Sequence, residues 1–253
     1  MKLFFREFGK GKPLLILHGL FGFSDNWVTH AKRLANYYRV ILVDLRNHGH
    51  SPWSSEFSYE LMAEDVEELV NQLELSNVIL LGHSMGGKVA MRYAQLFPER
   101  LDKLVVVDMG VKEYPPHHQQ ILLAINSLEL SEIKARREAE KHFLNYLADK
   151  GIIHFLLKNL YWREKGILDW RMNYRVLEIA MPEILSEIPF CESWVPTLFI
   201  RGELSDYILD EDIGKLESYF LDSCLVIIPR AGHWVHSDQQ EIFLNEVLSF
   251  CLR

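Results

Sequence analysis

The sequence predicts an α/β fold with a helical insertion, and three observations lead to this prediction. Short continuous apolar runs, such as residues 14–17 and 78–81, are typical of strands buried on both faces of a parallel sheet. Segments with helical periodicity separate these runs, which gives the strand–helix alternation of α/β proteins. Residues 111–189 interrupt the alternation, because they show helical periodicity and no strand-like run.

The part of the chain before the insertion contains five predicted strands. They cover residues 3–8, 14–17, 40–43, 78–81 and 104–107. Three helices are predicted in this part of the chain. The first covers residues 27–37, the second begins at Ser58 and has apolar residues at helical spacing up to Leu73, and the third follows the fourth strand and ends near Pro98. The loops between these elements are rich in Gly, Pro, Asn and Ser, the residues that commonly form turns.

The insertion and the last part of the chain differ in pattern. Helices are predicted over residues 120–128, 132–147, 151–160 and 173–181, with Trp162 and Trp170 between two of them. Alternation then resumes with a strand at 197–200, a helix at 211–220, a strand at 225–228 and a helix at 239–251. We therefore expect a core of residues 1–111 and 191–253, with a cap formed by residues 112–190.

Composition excludes several classes of protein. The 253 residues carry a net charge of −8, and no clustered basic face suggests a nucleic-acid partner. No stretch approaches the roughly 18 apolar residues of a membrane span, and the N-terminus has no apolar run of signal-peptide length. Three cysteines, an odd number without metal-ligand spacing, indicate reduced and mostly buried thiols. A cytoplasmic location is the expectation.

A serine flanked by glycines directly follows the fourth predicted strand. Residues 82–86 read GHSMG, which fits G-x-S-x-G with Ser84 at its centre, and a helix is predicted from Gly87. A strand that runs into a helix through such a turn is a nucleophile elbow. The turn lifts the hydroxyl off the sheet edge and directs the unpaired N–H groups of the helix N-terminus toward the reacting site. Ser84 is therefore the predicted nucleophile.

A serine nucleophile needs a base to take its proton. His233 lies in the loop after the last predicted strand, which places it at the same carboxyl edge of the sheet as Ser84. His236, three residues later, is expected at the start of the last helix instead. His233 is the predicted base.

Two carboxylates could orient this histidine. Asp108 ends the fifth predicted strand, and Asp206 lies in the loop after the sixth. Both are expected at the carboxyl edge of the sheet, and each could also be a solvated or capping residue. The residues alone leave the choice of acid open.

An oxyanion needs two preorganised N–H donors. Met85, the residue after the nucleophile, is expected to supply one, and Leu20 in the HGLFG loop is expected to supply the other. His48 and Ser51 are interpreted as turn-stabilising residues. His117 and His118 are interpreted as surface loop, because they have no partners at metal-ligand spacing. No metal and no cofactor is predicted.

Several longer motifs resemble those of α/β-hydrolase fold proteins along the whole chain, and more narrowly those of the bacterial YbfF-type esterases. They are HGLFG near Leu20, DLRNHGHS at 44–51, GHSMGGKVAM after Leu81, LVVVD ending at Asp108, FLLKNL at Phe155, WRMN at Trp170 and AGHWVH at Ala231. The resemblance implies an α/β-hydrolase fold, that is, a mostly parallel central sheet flanked by helices with an all-helical cap inserted after the sixth strand. It favours Asp108 as the acid, although related proteins carry the acid at the position that matches Asp206.

The family resemblance implies a carboxylesterase that acts on short acyl esters under a helical lid. The expected partner is a small-molecule ester, and the Phe and Trp content of the lid suggests a mainly apolar pocket. Thioesters, lactones, carbon–carbon bonds and perhydrolysis are alternatives that use the same residues. A small-molecule receptor built on the same fold is an alternative of another class. The oligomeric state stays open.

Overall fold

A seven-stranded sheet lies at the centre of the structure, a computed structural model that describes residues 1–253. The strands are β1 (Phe4–Phe8), β2 (Pro13–Leu17), β3 (Arg39–Asp44), β4 (Val78–His83), β5 (Leu101–Val107), β6 (Leu160–Glu164), β7 (Ile167–Trp170), β8 (Thr197–Gly202) and β9 (Ser223–Ile228). Of these, β6 and β7 form a separate two-stranded sheet.

Eleven α-helices accompany the strands. They are α1 (Val28–Leu34), α2 (Tyr59–Gln72), α3 (Met85–Leu96), α4 (Gln119–Asn126), α5 (Arg136–Phe143), α6 (Lys150–Leu157), α7 (Tyr174–Ile179), α8 (Met181–Leu185), α9 (Ile213–Tyr219), α10 (Val235–Asp238) and α11 (Gln240–Cys251). The long core helices follow the predicted pattern, and Ser58 caps α2 by accepting a hydrogen bond from the Leu61 N–H.

The order of the central sheet is β1-β3-β2-β4-β5-β8-β9. Only β1 is antiparallel, since it pairs with β3 in the opposite direction. The parallel strands explain the continuous apolar runs, because both faces of a strand such as β4 are buried. The parallel arrangement also brings the carboxyl ends of β2, β3, β4, β5, β8 and β9 to one edge of the sheet.

The two faces of the sheet bury cores of different size. One face forms a cluster of 21 buried residues with α1 and α11, and the other forms a cluster of 52. The larger cluster includes Phe143, Leu156 and Trp170, which belong to the insertion. The insertion therefore packs continuously on one face of the core.

The predicted fold class is confirmed, but the insertion differs from the prediction in two ways. It follows the fifth strand along the chain and not the sixth. It is also not all-helical, because β6 and β7 form a hairpin between α6 and α7. Along β7 the buried residues Leu168 and Trp170 alternate with the less buried Ile167 and Asp169, which is the two-residue period of a strand.

Lys88 joins the two ends of the insertion. This fully buried α3 residue donates from Nζ to the carbonyl of Lys112 at 3.0 Å and also to the carbonyl of Ser186. The Nζ atom lies 4.9 Å from the centre of the Tyr114 ring. Burial lowers the pKa of Lys88 to about 7, while the nearby carboxylates of the insertion raise it.

Two further observations concern the cysteines and the helices. Cys191, Cys224 and Cys251 are free thiols, but only Cys251 is buried, so the prediction of mostly buried cysteines was wrong. None of the helices has the length and apolar character needed to cross a membrane.

Candidate active site

The turn between β4 and α3 holds Ser84 in a strained conformation. Its φ and ψ are 53° and −123°, a combination that side-chain-bearing residues rarely adopt. Gly82 and Gly86 make the turn possible: a Cβ on Gly82 would lie 2.1 Å from the Gly86 carbonyl oxygen, and a Cβ on Gly86 would lie 2.5 Å from the His18 carbonyl oxygen. Strain of this kind is typical of functional residues, and it directs the hydroxyl toward the cavity above the sheet edge.

Ser84, His233 and Asp108 form a continuous chain of hydrogen bonds. The Ser84 Oγ lies 2.9 Å from Nε2 of His233, and Nδ1 of His233 lies 2.8 Å from Oδ2 of Asp108. Asp108 is completely buried, whereas a quarter of the His233 side chain is exposed. A buried carboxylate on Nδ1 fixes the tautomer that leaves Nε2 free to accept a proton from the hydroxyl.

The carboxylate of Asp108 has further donors. The Gly202 N–H donates to Oδ1 at 3.0 Å, and the Ser205 hydroxyl donates to Oδ2. Ser205 is a residue that the sequence reasoning missed, since a serine in a turn-rich loop has no distinguishing pattern. These hydrogen bonds hold the carboxylate in place beneath the imidazole.

Two aromatic side chains help to position His233. The Tyr207 ring stacks on its imidazole with ring centres 3.7 Å apart. At the backbone, Nε2–H of His83 donates to the His233 carbonyl at 2.9 Å. The loop that carries His233 is therefore fixed by the residue that directly precedes Ser84.

The other candidate residues lie elsewhere. Asp206 is exposed and is not hydrogen bonded to His233, so the structure does not bring the alternative acid into the site. His236 is buried in α10, before the last helix, and stacks on Trp27 with ring centres 4.2 Å apart. His117 and His118 lie in the loop before α4, and His117 is exposed as expected for a surface loop. The interpretation missed that both side chains also line the cavity above Ser84.

The loop after β2 brings Leu20 to the site. The Met85 N–H is at the first position of α3 and has no intrahelical acceptor, and Leu20 and Met85 line the same space beside Ser84. Ser51 and His48, interpreted above as turn-stabilising residues, both form hydrogen bonds with loop backbone. The Ser51 hydroxyl donates to the Asp44 carbonyl, and Nε2 of His48 accepts from the Phe21 N–H at 3.2 Å.

The insertion contacts this loop directly. Nδ2 of Asn159, a completely buried residue, donates to the Phe21 carbonyl at 2.7 Å. Phe21 has a positive φ of 59°. Phe21, which directly follows Leu20, is therefore held at its carbonyl by Asn159 of the insertion and at its N–H by His48 of the loop after β3.

Most histidines near the site are neutral at pH 7. Burial lowers the pKa of His48, His83 and His118 to about 3 in each case, and it lowers the pKa of His18, His30 and His236 as well.

No group of three or more His, Cys, Asp or Glu side chains is arranged to hold a metal ion.

A cavity of about 780 Å³ opens over Ser84 and is lined by 29 residues. Only nine of these residues are hydrophobic, but apolar atoms still form the larger part of the lining surface, in keeping with the predicted mainly apolar pocket. Phe155 of α6 packs against Trp234 with ring centres 5.7 Å apart, and this pair joins the insertion to the His233 loop. The cavity is large enough for a substrate of ordinary metabolite size.

Comparison with known proteins places the chain in a family. Residues 12–128 match a family model described as the alpha/beta hydrolase fold. Esterase YbfF of Escherichia coli is 34% identical over 238 residues, which cover 93% of this chain and 91% of the relative. The mouse sn-1-specific diacylglycerol lipase ABHD11 is 37% identical over 246 residues, covering 94% of this chain and 80% of the relative.

Among solved structures, a marine microorganism esterase superposes with a TM-score of 0.97 and 42% sequence identity, covering 99% of each chain. The fold, the elbow and the relatives agree. The chain belongs to the α/β-hydrolase fold family, and within that family it is similar over nearly its whole length to the YbfF-type esterases.

Proposed function

We propose that this protein is a serine carboxylesterase that hydrolyses short- to medium-chain acyl esters. The observation that carries the proposal is the hydrogen-bonded chain from Ser84 through His233 to Asp108 at the carboxyl edge of the sheet. The names of the relatives, esterase and lipase, support ester hydrolysis as the reaction class. The serine hydrolase prediction rests on the same findings.

The proposed reaction proceeds in two acyl-transfer steps. Ser84 attacks the ester carbonyl while Nε2 of His233 takes the hydroxyl proton, and the Leu20 and Met85 N–H groups stabilise the oxyanion. His233 then protonates the leaving alcohol. A water molecule, activated by the same imidazole, releases the acid and regenerates Ser84. Asp108 keeps the imidazole in the correct tautomer and stabilises the imidazolium ion.

In this proposal residues 112–190 act as the cap over the site. The Phe155–Trp234 contact and the Asn159 hydrogen bond support this assignment, since both connect the insertion to the loops that carry the reacting groups. A cap so connected shields the site from bulk water, while leaving room for the hydrolytic water molecule, and limits the size of the substrate.

The test is hydrolysis of p-nitrophenyl esters from acetate to dodecanoate. The variants are Ser84→Ala, Asp108→Asn and Asp206→Asn, the last being the matched control for the acid. We expect Ser84→Ala to abolish turnover and Asp108→Asn to lower kcat by about 10⁴-fold, as loss of the orienting carboxylate does. Asp206→Asn should retain wild-type kcat.

Other outcomes would change the proposal. A large loss in Asp206→Asn with an active Asp108→Asn would assign the acid to Asp206. A wild-type protein that cleaves thioesters or lactones but no ester would change the reaction class. A protein that cleaves none of these and is not labelled by a covalent serine probe would favour the receptor alternative.

A further inference from the structure

Two neighbouring segments of chain, which together form a stem, join the insertion to the core. They are residues 111–114 and 184–188. The segments are paired by backbone hydrogen bonds, from the Tyr114 N–H to the Leu185 carbonyl at 2.9 Å and from the Ile188 N–H to the Val111 carbonyl at 2.8 Å. The stem is therefore one unit, and a group that holds it also sets the position of the side chains that it carries.

The stem encloses the ammonium group of Lys88. Its Nζ donates to the Lys112 carbonyl at 3.0 Å, to the Leu185 carbonyl at 3.4 Å and to the Ser186 carbonyl. A lysine ammonium has three N–H donors, so all of them are used. The side chain is fully buried, and a buried cation without such partners would be costly. Lys88 thus holds both segments of the stem at one point of α3.

The stem also carries part of the wall of a small space beside Ser84, next to the large cavity of about 780 Å³. Tyr114, Ile184 and Leu185 line this small space together with Ser84. Leu185 therefore lines the space and is bound by Lys88 through its carbonyl. The Lys88 N–H donates to the Ser84 carbonyl at 3.2 Å, so the lysine lies one helical turn beyond the nucleophile. The same helix thus fixes the proposed nucleophile and the wall opposite a bound ester.

We propose that Lys88 is a positioning residue, whose ammonium group clamps the stem and so holds the wall of Tyr114, Ile184 and Leu185 in place beside Ser84. The proposal rests on the proposed esterase function and adds to it a residue that does not touch the ester. A bound ester contacts this wall before acyl transfer and during it alike. Loss of such uniform contacts raises KM and changes kcat little.

The proton on Lys88 makes the clamp sensitive to pH. Burial lowers the pKa of Lys88 to about 7, while the carboxylates of Glu187, Glu113 and Glu183 raise it. Below this pH the ammonium has three donors for the three carbonyls. Above it the amine has two donors and a lone pair, so one carbonyl oxygen loses its donor. The stem is therefore held less firmly at pH 9 than at pH 6.

Other charged and titratable groups surround Lys88. They are Tyr59 of α2, Arg92 of α3 paired with Glu60, Lys112 of the stem paired with Asp212, Glu113 and Tyr114 of the stem, Glu183 of α8 and Glu187 of the stem. Burial raises the pKa of Tyr59 and of Tyr114, so both phenols are neutral between pH 6 and 9. A hydrogen bond from Lys215 lowers the pKa of Glu187, which stays ionised. None of these three groups changes charge in the range in which Lys88 does.

The first test is steady-state hydrolysis of p-nitrophenyl butanoate between pH 6 and 9. Both acyl-transfer steps use the His233 imidazole, so its titration changes kcat and largely cancels from KM. We expect wild-type KM to rise at least about threefold over this range, the equivalent of one weakened hydrogen bond. Lys88→Met keeps the length of the side chain and removes its donors. Its KM at pH 6 should be about tenfold above wild type, with kcat within about threefold and KM independent of pH.

Gln95→Met is the matched control. Gln95 lies about two turns further along α3, and its Nε2 donates to the carbonyls of Pro189 and Cys191, each at 3.2 Å. It therefore also ties the helix to the end of the insertion, but it does not line the space beside Ser84. Gln95→Met should keep the wild-type KM and its dependence on pH.

Hydrogen exchange followed by NMR measures the stem without reference to activity. The protection factors of the Tyr114 and Ile188 amides, which correct for the intrinsic effect of pH, should fall about tenfold between pH 6 and 9 in the wild type. In Lys88→Met they should be low at both pH values. The Leu104 amide, which donates to the Pro196 carbonyl at 2.9 Å, is the reference and should keep its protection.

The outcomes separate this proposal from the esterase function. Constant wild-type KM and constant stem protection between pH 6 and 9, or a folded Lys88→Met protein with wild-type KM, would overturn the role of Lys88 and leave the esterase function intact. An equal rise in KM for Gln95→Met would also overturn it, because any loosening of the insertion would then have the same effect. A wild type that cleaves no ester would overturn both. The wild-type measurements decide the matter even if Lys88→Met fails to fold.

Discussion

Replacement of Asn159 by Ala tests whether the insertion holds the proposed oxyanion loop in place. Asn159 is completely buried, and its Nδ2 donates to the carbonyl of Phe21 at 2.7 Å. The alanine leaves that buried carbonyl without its donor, at a cost of about 1–3 kcal/mol. It also removes the Oδ1 atom, which is buried without a partner in the native protein and so offsets part of the loss.

The expected decrease in the free energy of unfolding is about 1–2 kcal/mol. For a chain of this length, this corresponds to a fall in Tm of about 2–8 °C. Because Phe21 follows Leu20 directly, release of the Phe21 carbonyl also loosens the loop that carries the proposed Leu20 N–H donor. Loss of an entire oxyanion donor costs about 10²–10³-fold in kcat, and we expect a looser one to cost about tenfold, with KM changed less than kcat.

The assay combines thermal unfolding with steady-state hydrolysis of p-nitrophenyl acetate. Asn145→Ala is the matched control, since Asn145 is an exposed asparagine of the same insertion, and it should leave both Tm and kcat at their wild-type values. An Asn159→Ala protein that keeps wild-type kcat would refute the link between the insertion and the oxyanion loop. Unchanged Tm would refute the estimated cost of the unpaired carbonyl.

Three further predictions concern positioning, backbone space and pH. Ser205→Ala removes a donor to Asp108 and should lower kcat about tenfold while KM changes less than about twofold; Ser218→Ala, an exposed control, should change neither. Gly86→Ala should lower Tm strongly because its Cβ meets backbone at 2.5 Å, whereas Gly214→Ala, with nothing within 4 Å, should not lower it. Burial lowers the pKa of His48, His83 and His118 to about 3, so below pH 6.5 these residues bind protons in the unfolded chain but not in the folded one. Denaturant titrations should therefore show the free energy of unfolding falling by about 6 kcal/mol between pH 7 and pH 5. A free energy that does not change with pH would contradict the lowered pKa values.

The sequence predicted the elements whose patterns are local. Strands of the parallel sheet are recognisable because both faces are buried, and Ser84 is recognisable because the elbow requires glycines at fixed positions. The β6–β7 hairpin was missed because its strands are short and its alternation spans only a few residues. Lys88 and Asn159 were missed because their partners are backbone carbonyls far away in sequence, which no local pattern reveals.

Partners that are distant in sequence also explain why the presence of a histidine near Ser84 does not by itself identify the proposed base. Eight of the eleven histidines line the large cavity, so proximity to Ser84 does not separate them. The hydrogen bonds of their ring nitrogens do separate them. Both ring nitrogens of His18 are bonded to backbone groups, and His83 donates to a backbone carbonyl. An imidazole held in this way fixes a loop and stays neutral. His233 alone places one nitrogen against a buried carboxylate and the other against the Ser84 hydroxyl, which is what transfer of a proton requires.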